Sequence, residues 1–130
     1  MKFFLDNNLS PKIAKVLDIL DSSNSVIHLQ EKFNRDISDI DWIRSLGQDK
    51  DWIVLTADNK ILTNPHEKAA WKESGLIIFA LKKSWLSLKL WDFASSIVRR
   101  WPDIIKSSQK ASPAQCFIVP IKGEKIQLLK

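Results

Sequence analysis

A chain of 130 residues, 45% of them hydrophobic, is long enough for one domain with a real core and too short for two comfortable ones, so residues 1–130 are read as a single domain. The lone Cys116 excludes an internal disulfide and a cysteine-held metal cluster, and no apolar run approaches the ~18 residues of a membrane span or forms a secretory leader. The expectation is a soluble, cytoplasmic protein of formal charge +5 with no membrane partner.

The apolar run at residues 3–5 (FFL) predicts a short buried strand. Ser10 and Pro11 then supply an N-cap and a first-turn proline, and Ile13, Val16, Leu17 and Leu20 recur at helical spacing. Residues 25–29 (SVIHL) predict a second strand. After a polar loop, Ser38 and Asp41 resemble a capping box with Asp in place of Glu, and Ile40, Ile43 and Leu46 carry a second helix to a terminator at Gly47. Residues 52–56 (WIVLT) are mostly apolar and rich in β-branched side chains, as a strand covered on both faces requires. Asn64, Pro65 and Glu67 open a third helix at its N-cap, N1 and N3 positions, and Gly75 closes it. Residues 76–81 (LIIFAL) predict a fourth buried strand. A long helix follows from about Ser87 past Arg100, with Leu90, Ala94, Ile97 and Trp101 on one stripe and a break or restart at Pro102. Residues 106–115 read as a linker, and residues 117–119 and 125–129 flank Gly123 as a terminal hairpin with Pro120 at its edge. Parallel strands need crossovers, so this alternation predicts an α/β fold: a mostly parallel central sheet, helices on both faces, and a C-terminal β-hairpin added to a core of residues 1–105.

In open parallel sheets, sites form just beyond the carboxyl ends of the strands. Asp6 follows the first strand, Asp58 lies two residues beyond the third, and Asp39 and Asp41 open the helix after the second, so four carboxylates from distant segments are expected at one rim. Clustered carboxylates repel one another unless a cation sits among them, and an oxygen-only donor set selects Mg²⁺ or Mn²⁺ over zinc. Each acid also has an ordinary structural reading: Asp41 as a cap, Asp39 as partner to the helix dipole, Asp58 with Asn59 as a turn. Asp6 is the hardest to read that way, because nothing in a tight buried strand needs a carboxylate there. His28 and His66 are too few and too scattered for zinc. Charge is unevenly divided, with 7 Lys/Arg against 10 Asp/Glu in residues 1–59 and 13 against 5 in residues 60–130. Such a division suits cation binding in one part and a polyanion such as nucleic acid at the other, although lysines solvating the outer faces of helices produce it too.

The stretches FFLDNNLSP, SDIDWIRSLG, VLTADNKI, NPHEKAAWKESGL and WDFASSIVRRWPDI, in that order over roughly residues 1–105, resemble the PIN-like nucleases and in particular their small VapC-type toxin branch. The resemblance implies a three-layer PIN-like fold and a ribonuclease that uses Mg²⁺ or Mn²⁺ to activate water against an RNA phosphodiester. For the toxin branch it further implies a cognate antitoxin protein as partner. It matches Asp6 to the family's first-strand acid, Asp39 to the acid opening the middle helix with Asp41 beside it, and Asp58 to the acid after the third strand. The fourth acid of many PIN domains has no clear counterpart, since Glu67 and Glu73 both read as helical positions, and this leaves the two-metal form of the mechanism open.

On this reading Asp6 and Asp58 ligate the metal, Asp39 completes the site, and Asp41 binds through water or acts as base. Asn7 is a candidate to hold a carboxylate or the scissile phosphate and equally a turn residue, and Thr56 is a candidate to steady Asp58. Lys60, Lys82, Lys83, Arg99 and Arg100 are candidates to grip the RNA backbone, each with solvated surface as its ordinary alternative. Trp42, Trp71, Trp91 and Trp101 fall on amphipathic helices and read as core. That leaves Trp85, beside Lys82 and Lys83, to stack on a base or to anchor a partner protein or the second subunit of a homodimer. Two other classes compete: an inactive PIN-like protein that binds nucleic acid or acts as a scaffold, and a phosphate-receiver domain, whose motif order fits poorly.

Overall fold

The structure is a computed structural model and describes residues 1–49 and 51–129. Among them the elements run β1 (Lys2–Leu5), α1 (Pro11–Leu20), β2 (Ser25–His28), α2 (Asp39–Asp49), β3 (Trp52–Thr56), α3 (Lys60–Thr63), α4 (Pro65–Ser74), β4 (Ile77–Leu81), α5 (Leu90–Lys110), β5 (Cys116–Val119) and β6 (Gln127–Leu128), with 3-10 turns at Leu29–Glu31 and Lys83–Ser87. The sheet order is β2-β1-β3-β4-β5-β6. Strands β1 to β5 are parallel and β6 returns antiparallel to β5, so the expected α/β architecture is observed and the terminal hairpin extends the main sheet.

Pleat alternation divides the core into two layers. Phe3 and Leu5 face α1 and α5, packing with Ile13, Leu17, Ile97 and Trp101. Phe4 points the other way, against Trp42 and Ile43 of α2, with Trp71 of α4 in the same layer. Phe3, Phe4 and Leu5 are completely buried, each contributing roughly 2 kcal/mol of hydrophobic stabilisation. Register pairs Leu5 with His28 on one side and Leu55 on the other, so the chain leaves all three strands at the same rim. The strand order reverses between β1 and β3, and this is the crevice where such sheets hold ligands.

Local chemistry explains the helix ends. Ser10 Oγ accepts from the Lys12 N–H with Pro11 at N1. Asn64 Oδ1 accepts from the His66 and Glu67 N–H groups, and Gly75 closes α4 at φ 73°, a left-handed conformation that suits glycine.

Several expectations are corrected. Gly47 does not terminate α2 but lies inside it, where α2 crosses α4: a Cβ there would stand 2.5 Å from Ser74 Cβ. Leu29 belongs to a 3-10 turn and not to β2. Pro102 neither breaks nor restarts α5, which is continuous, because the ring removes one backbone hydrogen bond while the buried stripe Phe93, Ile97, Trp101 and Ile104 holds the helix to the sheet. That helix extends through Lys110, so the first half of the expected linker is helical. The helix after the Lys83–Ser87 turn begins at Leu90 and not near Ser87, its buried stripe runs through Phe93, Ile97 and Trp101 with Leu90 exposed, and the tryptophans exchange places. Trp85 is fully buried, donating its indole N–H to the Val119 carbonyl at 2.9 Å, whereas Trp91 is 87% exposed. Trp42, Trp71 and Trp101 are core residues as expected.

Candidate metal-binding site

Asp6 is the first residue past β1 and is only 6% exposed. Thr56, at the end of β3, donates its hydroxyl to Asp6 Oδ2 at 2.5 Å and accepts the Asp58 N–H at 3.0 Å. Asp58 Oδ1 in turn accepts the Lys60 N–H at 3.0 Å, a turn that starts α3. Asn8 closes the same crevice, its side-chain oxygen accepting the Ala57 N–H at 3.2 Å. The second oxygen of Asp6, Oδ1, is buried with no hydrogen-bond partner.

Burial pushes the Asp6 carboxyl up from 3.8 to about 7. The Thr56 hydrogen bond and the nearby Asn8 amide pull it back, and the charges of Asp39 and Asp58 add to the rise. Asp39, the first residue of α2, is fixed by the indole N–H of Trp42, which donates to its Oδ1 at 3.0 Å. Across from it stands Glu67 in the first turn of α4, nearly buried at 9% exposure. Its carboxyl is raised by burial first, then by the Asp39 charge and a shared hydrogen bond with that carboxyl, and then by Asp58. Two carboxyl groups at hydrogen-bonding reach must share a proton or a cation.

The structure therefore brings Asp6, Asp39 and Asp58 to one rim and adds a further carboxyl, Glu67, which had read as a helical position. The signal was present in the spacing: Asn64 ends α3 and begins α4 at once, so its own N–H is taken by the Lys60 carbonyl at 2.8 Å. A glutamate at N3 normally caps that N–H. With the cap already satisfied, the Glu67 carboxyl is free to face Asp39.

Other candidates lie elsewhere. Asp41 is exposed, and two positions along α2 turn it about 200° away from Asp39. Asn7 donates to the Arg35 carbonyl at 2.6 Å and accepts from Gln30 at 3.3 Å, holding the loop ahead of α2 to the end of β1 instead of facing a phosphate. Arg100 is buried at 8% exposure, with its guanidinium bonded to the Ile121 and Glu124 carbonyls, so it pins the loop before β6 and is not offered to a polyanion. Lys60 and Arg99 are exposed, as are Lys82 and Lys83, but Lys82 is paired with Glu124 at 3.0 Å. His28 is buried with both ring nitrogens engaged, one with the Leu9 carbonyl at 2.7 Å and the other accepting the Gln30 N–H at 3.1 Å, which leaves no nitrogen for a metal.

Among the described residues, no three His, Cys, Asp or Glu side chains stand close enough to hold an ion jointly as they are. An unpartnered buried carboxylate oxygen, a carboxyl pair in contact and an all-oxygen donor set nonetheless fit a hydrated Mg²⁺ or Mn²⁺. Such ions keep much of their water and take only one or two carboxylates directly. Asp6, Asp39, Asp58 and Glu67 would hold such an ion, one or two of them directly and the others through its water.

A family profile described as PIN like domain matches residues 1–83, a span that contains all four acids. The chain belongs to the PIN-like domain family, whose members are generally nucleases, hydrolases that work with divalent metals. The match reaches the family and not its toxin branch, and it stops before α5, where one of the motifs that suggested that branch lies. No curated protein and no solved structure matches the chain.

Proposed function

We propose that this protein is a metal-dependent endoribonuclease. The observation that carries the reading is the convergence of Asp6, Asp39, Asp58 and Glu67 at the β1/β3 crevice, with Asp6 Oδ1 buried and unpartnered. A bound divalent ion supplies an activated water and neutralises charge on the phosphoryl oxygens. The chain's own contribution is positional. Thr56 sets the Asp6 carboxylate, Trp42 sets Asp39, and the turn at Asp58 fixes the fourth side of the crevice. Glu67, whose carboxyl is raised by burial first and then by Asp39, keeps its proton more readily than a free glutamate and is suited to pass it to a departing oxygen or to give it up on metal binding.

The test is cleavage of single-stranded RNA in Mn²⁺ by the wild type beside Asp6→Asn and Glu67→Gln, each checked for folding by circular dichroism. Loss of cleavage in both variants supports the assignment, and equal cleavage by all three proteins refutes it. The proposal extends to the role of toxin with a cognate antitoxin, which rests on motif resemblance. A small upstream reading frame with a DNA-binding pattern would support it.

A second reading has its own observation. Among the described residues no three acids stand close enough to hold an ion jointly, and an arrangement of that kind suits a PIN-like protein that binds nucleic acid without cutting it. RNA binding without Mn²⁺-dependent cleavage would select that reading.

A further inference from the structure

Five of the six tryptophans donate their indole N–H to a protein acceptor: Trp42 to Asp39, Trp52 to Asp49, Trp71 to the Leu76 carbonyl, Trp85 to the Val119 carbonyl and Trp101 to Asp21. Trp91 has no such bond among the described residues. At 87% exposure both faces of its ring are open to water. Leu86 at 52% and Leu90 at 41% flank it. Large apolar side chains exposed within a few residues of one another mark an interaction surface more often than a lone surface leucine does.

Its position links it to the acids. Leu86 and Leu90 line a groove of about 220 Å³ whose opposite wall is Asn8, Leu9 and Ser10, the segment that leaves Asp6. Leu88 lines this groove and also a second cavity of about 470 Å³ beyond the ends of β4 and β5, bordered by Arg99 and Lys122 and by the Lys82–Glu124 ion pair. The two cavities adjoin at Leu88, and Trp91, next to Leu90 of the first and one helical turn from Ser95 of the second, stands beside their junction. Lys83, Lys89 and Arg99 have no carboxylate within 4.0 Å among the described residues, and residues 82–91 contain three lysines and no acid.

We propose that these adjoining cavities seat a single-stranded RNA, with an unpaired base stacked on Trp91 and phosphates met by Lys83, Lys89 and Arg99. The proposal rests on the ribonuclease reading and names where its substrate lies. A free-standing aromatic ring beside unpaired cations is the usual platform for single strands, because each base offers a π-face and each phosphate a charge. A protein partner is the competing occupant, but an apolar protein segment gains little from a cavity bordered by Arg99 and Lys122.

The experiment measures binding of a labelled single-stranded oligoribonucleotide of mixed sequence by fluorescence anisotropy, in the Asp6→Asn background so that nothing is cut. Trp91→Ala should weaken binding roughly tenfold, and Trp91→Phe should lose less. Lys83→Gln with Lys89→Gln should lower the slope of log Kd against log salt by roughly one to two. Unchanged affinity in Trp91→Ala, with an unchanged circular dichroism spectrum, overturns the proposal. So does sedimentation showing a dimer that Trp91→Ala dissociates while RNA affinity stays the same, since the patch would then belong to a second copy of the chain. Binding that depends on Trp91 in a wild type that never cleaves would sink the ribonuclease reading and leave this surface standing.

Discussion

One hydroxyl joins the two strand ends that face the crevice: Thr56 Oγ1 donates to Asp6 Oδ2 at 2.5 Å and accepts the Asp58 N–H at 3.0 Å. Thr56→Val keeps the shape and removes both bonds, so that Asp6 Oδ2 loses its donor beside an Oδ1 that already has none. The expected loss is roughly 1–3 kcal/mol in urea unfolding at neutral pH, together with weaker Mn²⁺ binding by calorimetry. Thr56→Ser should restore both. A Val variant as stable and as metal-competent as the parent would show that the hydroxyl organises nothing.

The metal-free protein should lose stability as pH rises. Asp6 titrates near 3.8 unfolded and at about 7 folded, so between those values the folded state keeps a proton that the unfolded state has lost. This contribution is complete below about pH 4 and gone above about pH 7, and it amounts to at most roughly 4 kcal/mol. Chemical denaturation in chelator at about pH 5 and about pH 8 should show the fall in the wild type and a much flatter profile in Asp6→Asn. Parallel profiles would contradict the burial argument.

Glu67 and Asp39 press two carboxyl groups together, so Glu67→Gln should act in opposite directions with and without metal. In chelator the substitution removes repulsion, and the melting temperature should hold or rise at pH values where both acids would ionise. On adding Mn²⁺ the wild type should gain more in melting temperature than the variant. An equal gain would remove Glu67 from the site.

Gly47 is a packing requirement and not a helix stop. Alanine has the better helix propensity by about 1 kcal/mol, yet its Cβ would meet Ser74 Cβ at 2.5 Å and Ser74 Cα at 2.9 Å. Overpacking of this kind costs typically 1–3 kcal/mol, so Gly47→Ala should lower the melting temperature. A stabilised variant would mean that α2 and α4 separate more easily than their contact suggests.

Arg99 and Arg100 are adjacent and should behave oppositely. Arg100→Ala frees two carbonyls near β6 and should destabilise by roughly 2 kcal/mol. Arg99→Ala should leave the melting curve within about 0.5 kcal/mol of the parent while weakening RNA binding uniformly across sequences.

What could be read along the chain was what is written locally. Apolar runs marked β1, β3 and β4, the caps at Ser10 and Asn64 and the glycine at 75 marked helix ends, and Asp6 and Asp58 stood out because a carboxylate just past a buried strand has no local use. What only the tertiary structure decided was direction. Spacing shows that residues share a face but not what that face meets. So Glu67 passed for a cap, Gly47 for a terminator and Arg100 for a surface cation, and Trp85 and Trp91 exchanged places because the 3-10 turn sets Trp85 on Val119 while the buried stripe of α5 passes through Phe93 and not Trp91. Glu67, Gly47, Arg100 and Trp85 are each defined by a partner on another element, brought near only when the sheet orders itself 2-1-3-4-5-6, and no local signal records that neighbour.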